Sequence, residues 1–282
     1  RDLTTKLEIR QNSKDDPSLI PCVTVNDIEK ERFYTTGCKQ EDGDKIKYLY
    51  HAGTNGIDYT TKVFSLESAN LDDLRYSNFF SDVVTSVGVG EKDYEKVQKE
   101  QSLSTGGIGL SFNVLPDSSG NKFLLSAGLH GSALKKNFSK LESLMNNTIH
   151  GFRLDEIKRL EELTQFEIAG KEKSITQSGH ILAMNGASAQ ISKFGAVSEF
   201  VGGVSSIHNL KKLRHSNGKI KMEVLLESFS KLKSFINPDS KIEVVISASN
   251  QNFDKETTTK TGLETLDAVS YTHLTLPTKV YV

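Results

Sequence analysis

Seven histidines stand at positions 51, 130, 150, 180, 208, 215 and 273. No two are four residues apart, so neither His-Glu-x-x-His nor its inverse, His-x-x-Glu-His, occurs, and the chain lacks the two helical arrangements that aim both imidazoles at one zinc ion. Cys22 and Cys38 have no partners at zinc-finger spacing and form no Cys-x-x-Cys pair. No Gly-x-Ser-x-Gly elbow is present. Glu161-Glu162 lies among Lys and Arg and reads as a solvated helix face. His180, in Gln177-Ser178-Gly179-His180, follows a turn and reads as a structural or capping histidine. His130, before Gly131, reads as a turn residue at a strand end. A Ser or Cys nucleophile with a histidine base stays open, because such partners meet only in space. No catalytic, cofactor-binding or metal-binding residue is therefore assigned.

The stretch Leu103–Asp117, LSTGGIGLSFNVLPD, poses a sharper question. A phosphate cradle needs a strand, then glycines, then a helix whose N-terminal N–H groups face the anion. Here the order is reversed: helix, glycines, strand. Neither Gly-x-Gly-x-x-Gly nor Gly-Lys-Ser/Thr is present. Gly106 and Gly107 read instead as a helix stop and a strand entry, where positive φ or close backbone approach is needed.

The 282 residues are 25% charged and 36% hydrophobic, with a formal net charge of −1. No basic excess exists to draw nucleic acid or an anionic membrane. The basic cluster His208–Lys221 reads as a solvated helix end. Two cysteines make no disulfide framework and fit a reducing compartment rather than secretion, with a single bridge left open. Asn137-Phe-Ser and Asn146-Asn-Thr match a glycosylation pattern that is common by chance. No apolar run is long enough for a transmembrane helix. The start at Arg1, without Met or a signal-like segment, reads as a piece of a longer chain. Val269–Val282 alternates like an edge strand, but SYTHLTLPTK resembles translated sequencing-adaptor sequence. It is set aside, so that the natural chain is expected to depart near Asp267.

The elements that must position any site follow from periodicity. Arg1–Ile20 reads as a helix end and linker closed by Asp15-Asp16-Pro17 and Pro21, and Cys22–Ile28 as a short extended segment. Lys45–His51 and Ile57–Phe64 read as a hairpin about Asn55-Gly56. Helices are expected over Asn70–Val87 and Asp93–Leu103, then strands Ile108–Leu115 and Phe123–Leu129, joined by Pro116–Asn121. Further helices are expected over Ser132–Asn147, Leu154–Lys173, parts of Ser178–Phe200, and Ile220–Ile236, which ends at Asn237-Pro238. Ile242–Ala248 reads as a strand. The fold class is α+β, a mainly antiparallel sheet covered by helices.

Several local signatures recur in one order: Thr54-Asn55-Gly56; Val87-Gly88-Val89-Gly90 before Asp93-Tyr94; Leu103-Ser104-Thr105-Gly106-Gly107; Leu115-Pro116-Asp117; and Ser178-Gly179-His180. Together with Asp16-Pro17, Pro21 and Val25-x-Asp27-Ile28, they resemble the presequence protease branch of the pitrilysin and insulysin peptidases over about Leu3–Asn250. The resemblance implies a zinc endopeptidase of four related α+β domains whose halves enclose a chamber. It implies that zinc is held by a His-x-x-Glu-His domain absent from this sequence, and that this chain is the third, non-catalytic domain. The implied division is 1–30 linker end, 31–250 domain, 251–268 start of the next linker and 269–282 artefact. The implied partners are the catalytic N-terminal half and peptide substrates, in an organelle such as the mitochondrion or in the cytoplasm. Thr105, Gly106, Gly107 and strand Ile108–Leu115 are candidate chamber-wall residues, with core packing as the rival reading. An inactive structural subunit of the same fold is the alternative function.

Overall fold

The computed structural model describes residues 2–13, 20–28, 36–116, 123–236 and 239–247. The Asp16-Pro17 linker signal, most of the Pro116–Asn121 connection, Asn237-Pro238 and everything from Ala248 onward lie outside the described residues. The chain divides into two units, residues 1–35 and 36–282.

The first unit carries α1 (Asp2–Asn12), in which no residue is buried, and one 3-10 turn at Val25–Asp27. Cys22–Ile28 was expected to be extended throughout. It closes into this turn because Asp27 Oδ2 accepts from both the backbone N–H and the hydroxyl of Thr24. The same two bonds hold the Asp27 carboxyl below its ordinary pKa.

The second unit is built on a six-stranded sheet. Its strands are β1 (Thr36–Asp42), β2 (Lys45–His51), β3 (Ile57–Ser65), β4 (Gly107–Pro116), β5 (Phe123–Leu134) and β6 (Ile242–Ser247). Their spatial order is β1-β2-β6-β3-β5-β4. Only the β2–β6 pair is parallel; every other pair is antiparallel. The α+β class and the mainly antiparallel sheet are as the sequence implies.

The expected hairpin is corrected. Asn55 and Gly56 do turn the chain, with φ of 52° and 80°, and Ile57 N–H donates to Thr54 O at 3.1 Å. Yet the strands they join are not neighbours, because β6 lies between them. Polar contacts fix this insertion. Glu243 of β6 accepts from Thr60 Oγ1 of β3 at 3.0 Å and pairs with Lys47 of β2 at 3.1 Å. Ser247 donates to the buried Asp58 carboxylate at 2.6 Å. Ala52 N–H donates to Ser247 O at 3.1 Å, where the connection passes the end of β6.

Two helix expectations shift for similar reasons. Ser132–Leu134 continue β5, paired with Tyr59, Asp58 and Ile57, so the helix there begins only at Phe138 and Leu134 is exposed. Asn70–Val87 divides into a 3-10 turn, Asp72–Leu74, and α2 (Ser77–Val84). Reciprocal bonds between the Asn70 and Asp73 backbone N–H groups and side-chain oxygens, both 3.0 Å, start that turn, and Leu71 is left exposed. The strand β1 was not anticipated.

The remaining helices are α3 (Tyr94–Ser104), α4 (Phe138–Gly151), α5 (Ile157–Gln177), α6 (Gly179–Ala189), α7 (Lys193–Gly202), α8 (Val204–Lys212) and α9 (Met222–Ile236). The start of α3 is set by Asp93, whose carboxylate accepts from Lys96 N–H at 2.9 Å. In α5 the buried stripe is Leu160, Thr164 and Ile168, while Ile157 is exposed. The basic cluster ends α8 and then folds back, with Arg214 bridged to Ile220 around Gly218.

The helices meet the sheet at one aromatic node. Phe80 of α2 is fully buried, and its ring centroid lies 5.2 Å from Phe229, 5.6 Å from Phe152 and 6.1 Å from Phe112. Those rings belong to α9, the end of α4 and β4, so one side chain ties three elements to α2.

One carboxylate of the helix layer opposes its own surroundings. Burial pushes the Glu167 pKa above its ordinary 4.5, and this outweighs the attraction of Lys171, 3.6 Å away; the neighbouring Asp82 charge adds to the rise. The native pKa thus exceeds the unfolded one. The stabilising contribution is complete below the unfolded value and is lost as pH rises through the native value. Glu167→Gln should therefore be at least as stable as the parent at pH 7 and flatten the decline of stability above pH 4.5. Urea midpoints measured across that range check it; a clear loss of stability at pH 7 would show that the Lys171 pair dominates.

Candidate functional site

The sheet's two faces differ. Phe64, Leu110, Ala127, Leu129 and Ala133 point to the helix side and are buried. The cross-strand register puts a different set on the other face: Ile46, Tyr48 and Tyr50; Ile242, Val244 and Ile246; Tyr59, Thr61 and Val63; Ser126, Gly128, His130 and Ser132; and Gly109, Ser111 and Asn113. Most of these are half-buried, and His130 and Tyr59 are exposed. A groove of about 1400 Å³ runs along this face, floored by β3, β4 and β5 and flanked by Phe235 and Asp239–Ile242.

The face is chemically graded. Toward β2 and β6 it is aliphatic and aromatic; toward β4 and β5 it is glycine, hydroxyl and amide. From β2 to β4 no Asp, Glu, Lys or Arg projects from it. Ser111 Oγ donates to Gly128 O at 3.4 Å and accepts from Asn113 Nδ2 at 3.3 Å, leaving amide and hydroxyl capacity directed along the groove.

Of the candidate wall residues, Gly106, Gly107 and Ser111–Leu115 line this groove, and Thr105 does not. Thr105 caps α3: its N–H and its hydroxyl both donate to Gln101 O at 2.8 Å. Gly106 N–H donates to Ser132 O at 2.7 Å, while Gly107 is the register partner of the same Ser132. Two residues thus face one, which is a β-bulge. Gly107 has φ of 130°, a region that side chains disfavour. The cluster is a helix stop and strand entry, and its glycines border the groove.

His130 is corrected. It lies in the middle of β5, not at a turn, with its imidazole over Gly109, where a Cβ would collide with Nε2. His180 is the second residue of α6 and exposed. Among the described residues, no group of three or more His, Cys, Asp or Glu is placed to hold a metal ion. Val87–Gly90 forms a clasp: Gly88 N–H donates to Glu156 at 3.1 Å, Arg153 N–H to Gly88 O at 2.9 Å, and Gly90 N–H to Gly151 O at 2.9 Å. It joins α2 to the α4–α5 junction and contributes nothing to the groove.

Ser111 and Asn113 belong to the candidate wall strand Ile108–Leu115 and do line the groove, whereas Tyr59 and Thr61 lie outside the expected wall. The signal was present in β5, where FLLSAGLHGSAL alternates polar Ser126, His130 and Ser132 with apolar Ala127, Leu129 and Ala133.

A family model for the domain associated with peptidases of family M16, subfamily C, matches residues 2–213. A mitochondrial presequence protease of Drosophila melanogaster is 25% identical over 215 residues, covering 76% of this chain and 21% of that protein. Protein HypA of Clostridium perfringens is 26% identical over 274 residues, covering 89% of this chain and 28% of that protein. A solved structure of a conserved protein from Enterococcus faecalis V583 superposes with a TM-score of 0.51 at 9% identity, covering 77% of this chain and 49% of that one. The chain thus spans about a quarter of the curated relatives it matches.

Proposed function

We propose that this chain, which belongs to that peptidase-associated family, is a non-catalytic wall of a larger presequence-protease-like peptidase. The sheet face, whose strand positions carry no charged side chain, and the groove of about 1400 Å³ along it, in which Glu67, Asp239 and Lys241 supply the only Asp, Glu, Lys or Arg among the described lining residues, carry this reading. A wall that holds unfolded peptides of varied sequence should be broad, tolerant and free of fixed charge. It should offer apolar patches and hydrogen-bonding groups side by side. Zinc would be held by another part of the parent chain. The other parts of that chain would be the partners, and short peptides the substrates. The compartment is taken from the name of the fly relative, the mitochondrion. Among the described residues no helix is long and apolar enough to cross a membrane.

The reading is tested at Tyr59, which is exposed on the groove and stands outside the hydrophobic core. In the full-length parent enzyme, Tyr59→Asp should raise the KM for peptide cleavage about fivefold, equivalent to roughly 1 kcal/mol. Bound zinc should be unchanged, since no metal ligand is touched. An unchanged KM would remove the wall from peptide capture. A parent chain that cleaves no peptide at all would favour the inactive structural subunit.

A further inference from the structure

The two edges of the sheet are built differently. The edge strand β1, TGCKQED, carries Lys39, Glu41 and Asp42, charges of the kind that discourage another strand from pairing. The opposite edge strand, β4, reads GIGLSFNVLP and carries no charge over ten residues. Its guards are confined to its ends, the bulge at Gly106–Gly107 and Pro116. Between them lie eight consecutive uncharged residues, Ile108–Leu115. Among the described residues, β5 is the only backbone hydrogen-bonding partner of this stretch. A strand bonded on one side leaves alternate N–H and C=O groups pointing outward. The groove runs directly beside it, with Ser111 and Asn113 on its floor.

We infer that β4 takes up an extended, uncharged peptide segment by strand addition, so that Ile108–Leu115 is a peptide-binding edge. This deepens the wall reading and rests on it: the wall would hold its substrate by backbone pairing. Backbone pairing is indifferent to side-chain identity, and alternate side chains of the added strand would fall toward the groove face. The absence of charge on β4 and on the adjoining face fits a segment whose own side chains are apolar or hydroxylic. On the strand face itself a charged side chain would find no opposite charge and would lose its hydration; the charged residues that line the groove, Glu67, Asp239 and Lys241, stand outside the strand positions of that face.

The test uses the 282-residue chain and a fluorescein-labelled decapeptide of alternating Val and Thr flanked by one Lys at each end. Anisotropy should report saturable binding, and hydrogen exchange of the amides of Ile108–Leu115 should slow on binding while those of β1 stay unchanged. The same peptide N-methylated at alternate residues keeps its side chains but cannot pair, and should bind about tenfold more weakly or worse. Ser111→Lys, a charge placed on the groove face of β4, should weaken binding similarly; Gln40→Lys on β1 should not. Equal binding of the N-methylated peptide would overturn strand addition, and so would absence of binding. Protection of β4 without peptide that grows with protein concentration would assign the edge to a second copy and overturn it too. The two readings fail separately. A KM effect at Tyr59 with a silent β4 leaves the wall without the edge. Protection of β4 with no KM effect at Tyr59 leaves an edge with no part in catalysis.

Discussion

Phe80→Ala should cost the second unit about 3–5 kcal/mol of stability. The side chain is fully buried and sits against Phe112, Phe152 and Phe229 at centroid distances of 5.2 to 6.1 Å. Three contributions add. The apolar area of the ring returns to water, a cavity is left among rings too rigid to collapse into it, and three edge-on aromatic contacts are lost. Removing the ring also loosens α2 from both α9 and β4, so the helix layer and the sheet would lose their common anchor. Urea unfolding followed by circular dichroism measures the loss as a lower midpoint at unchanged slope. A loss below about 1 kcal/mol would contradict the packing of this node. Phe80→Leu keeps most of the volume and should recover more than half of the loss.

Gly107→Val should cost about 1–3 kcal/mol through backbone strain alone. At φ of 130° a side chain is disfavoured even though nothing lies within 4 Å of the position its Cβ would take. Val belongs at the upper end of the range because its branched Cβ crowds its own backbone. Gly106→Ala is the contrasting case. Its φ lies outside the left-handed region, and its Cβ would crowd the Ser132 hydroxyl, at 2.5 Å, a side-chain group able to rotate, while Ser132 O and Cβ stand at ordinary contact distances of 3.5 and 3.7 Å. It should lose less than about 1 kcal/mol. Thermal unfolding of the two variants side by side decides between strain and crowding. Equal losses would mean that space, and not φ, is what Gly107 provides. A drop in peptide turnover in the Gly107 variant would mix strain with wall chemistry, which is why Tyr59 serves as the functional probe.

Much of the architecture was legible because it is local. The reversed order of helix, glycines and strand at Leu103–Leu115 excluded a phosphate cradle, and the structure shows the cap and bulge that this order requires. The helices expected over Asp93–Leu103 and Leu154–Lys173 are α3 and α5, the second burying Leu160, Thr164 and Ile168. What escaped is non-local or masked by polarity. Asn55-Gly56 is a true turn, but no local signal says that residues from the far end of the domain will separate the strands it joins. Glu243, the residue that bonds to both neighbours, reads as an ordinary surface acid. β1 is nearly all polar because an edge strand needs little core, so its period-2 pattern is faint. The groove was legible along Gly106–Leu115 and escaped on β3 and β5 for another reason. Many of its residues are small or hydroxylic, and they become a site only when register aligns Thr61, His130 and Gly109, and beside them Val63, Gly128 and Ser111, across three strands.

The placement of β6 bears on how the chain is made. During synthesis β1 and β2 emerge early, and so do β3, β5 and β4, yet the gap between the two groups can close only after Ile242–Ser247 has left the ribosome. Until then β2 and β3 each present an unsatisfied edge. A chain ending before Ile242 would keep β2 and β3 linked through the Asn55-Gly56 turn but would lack the strand that lies between them.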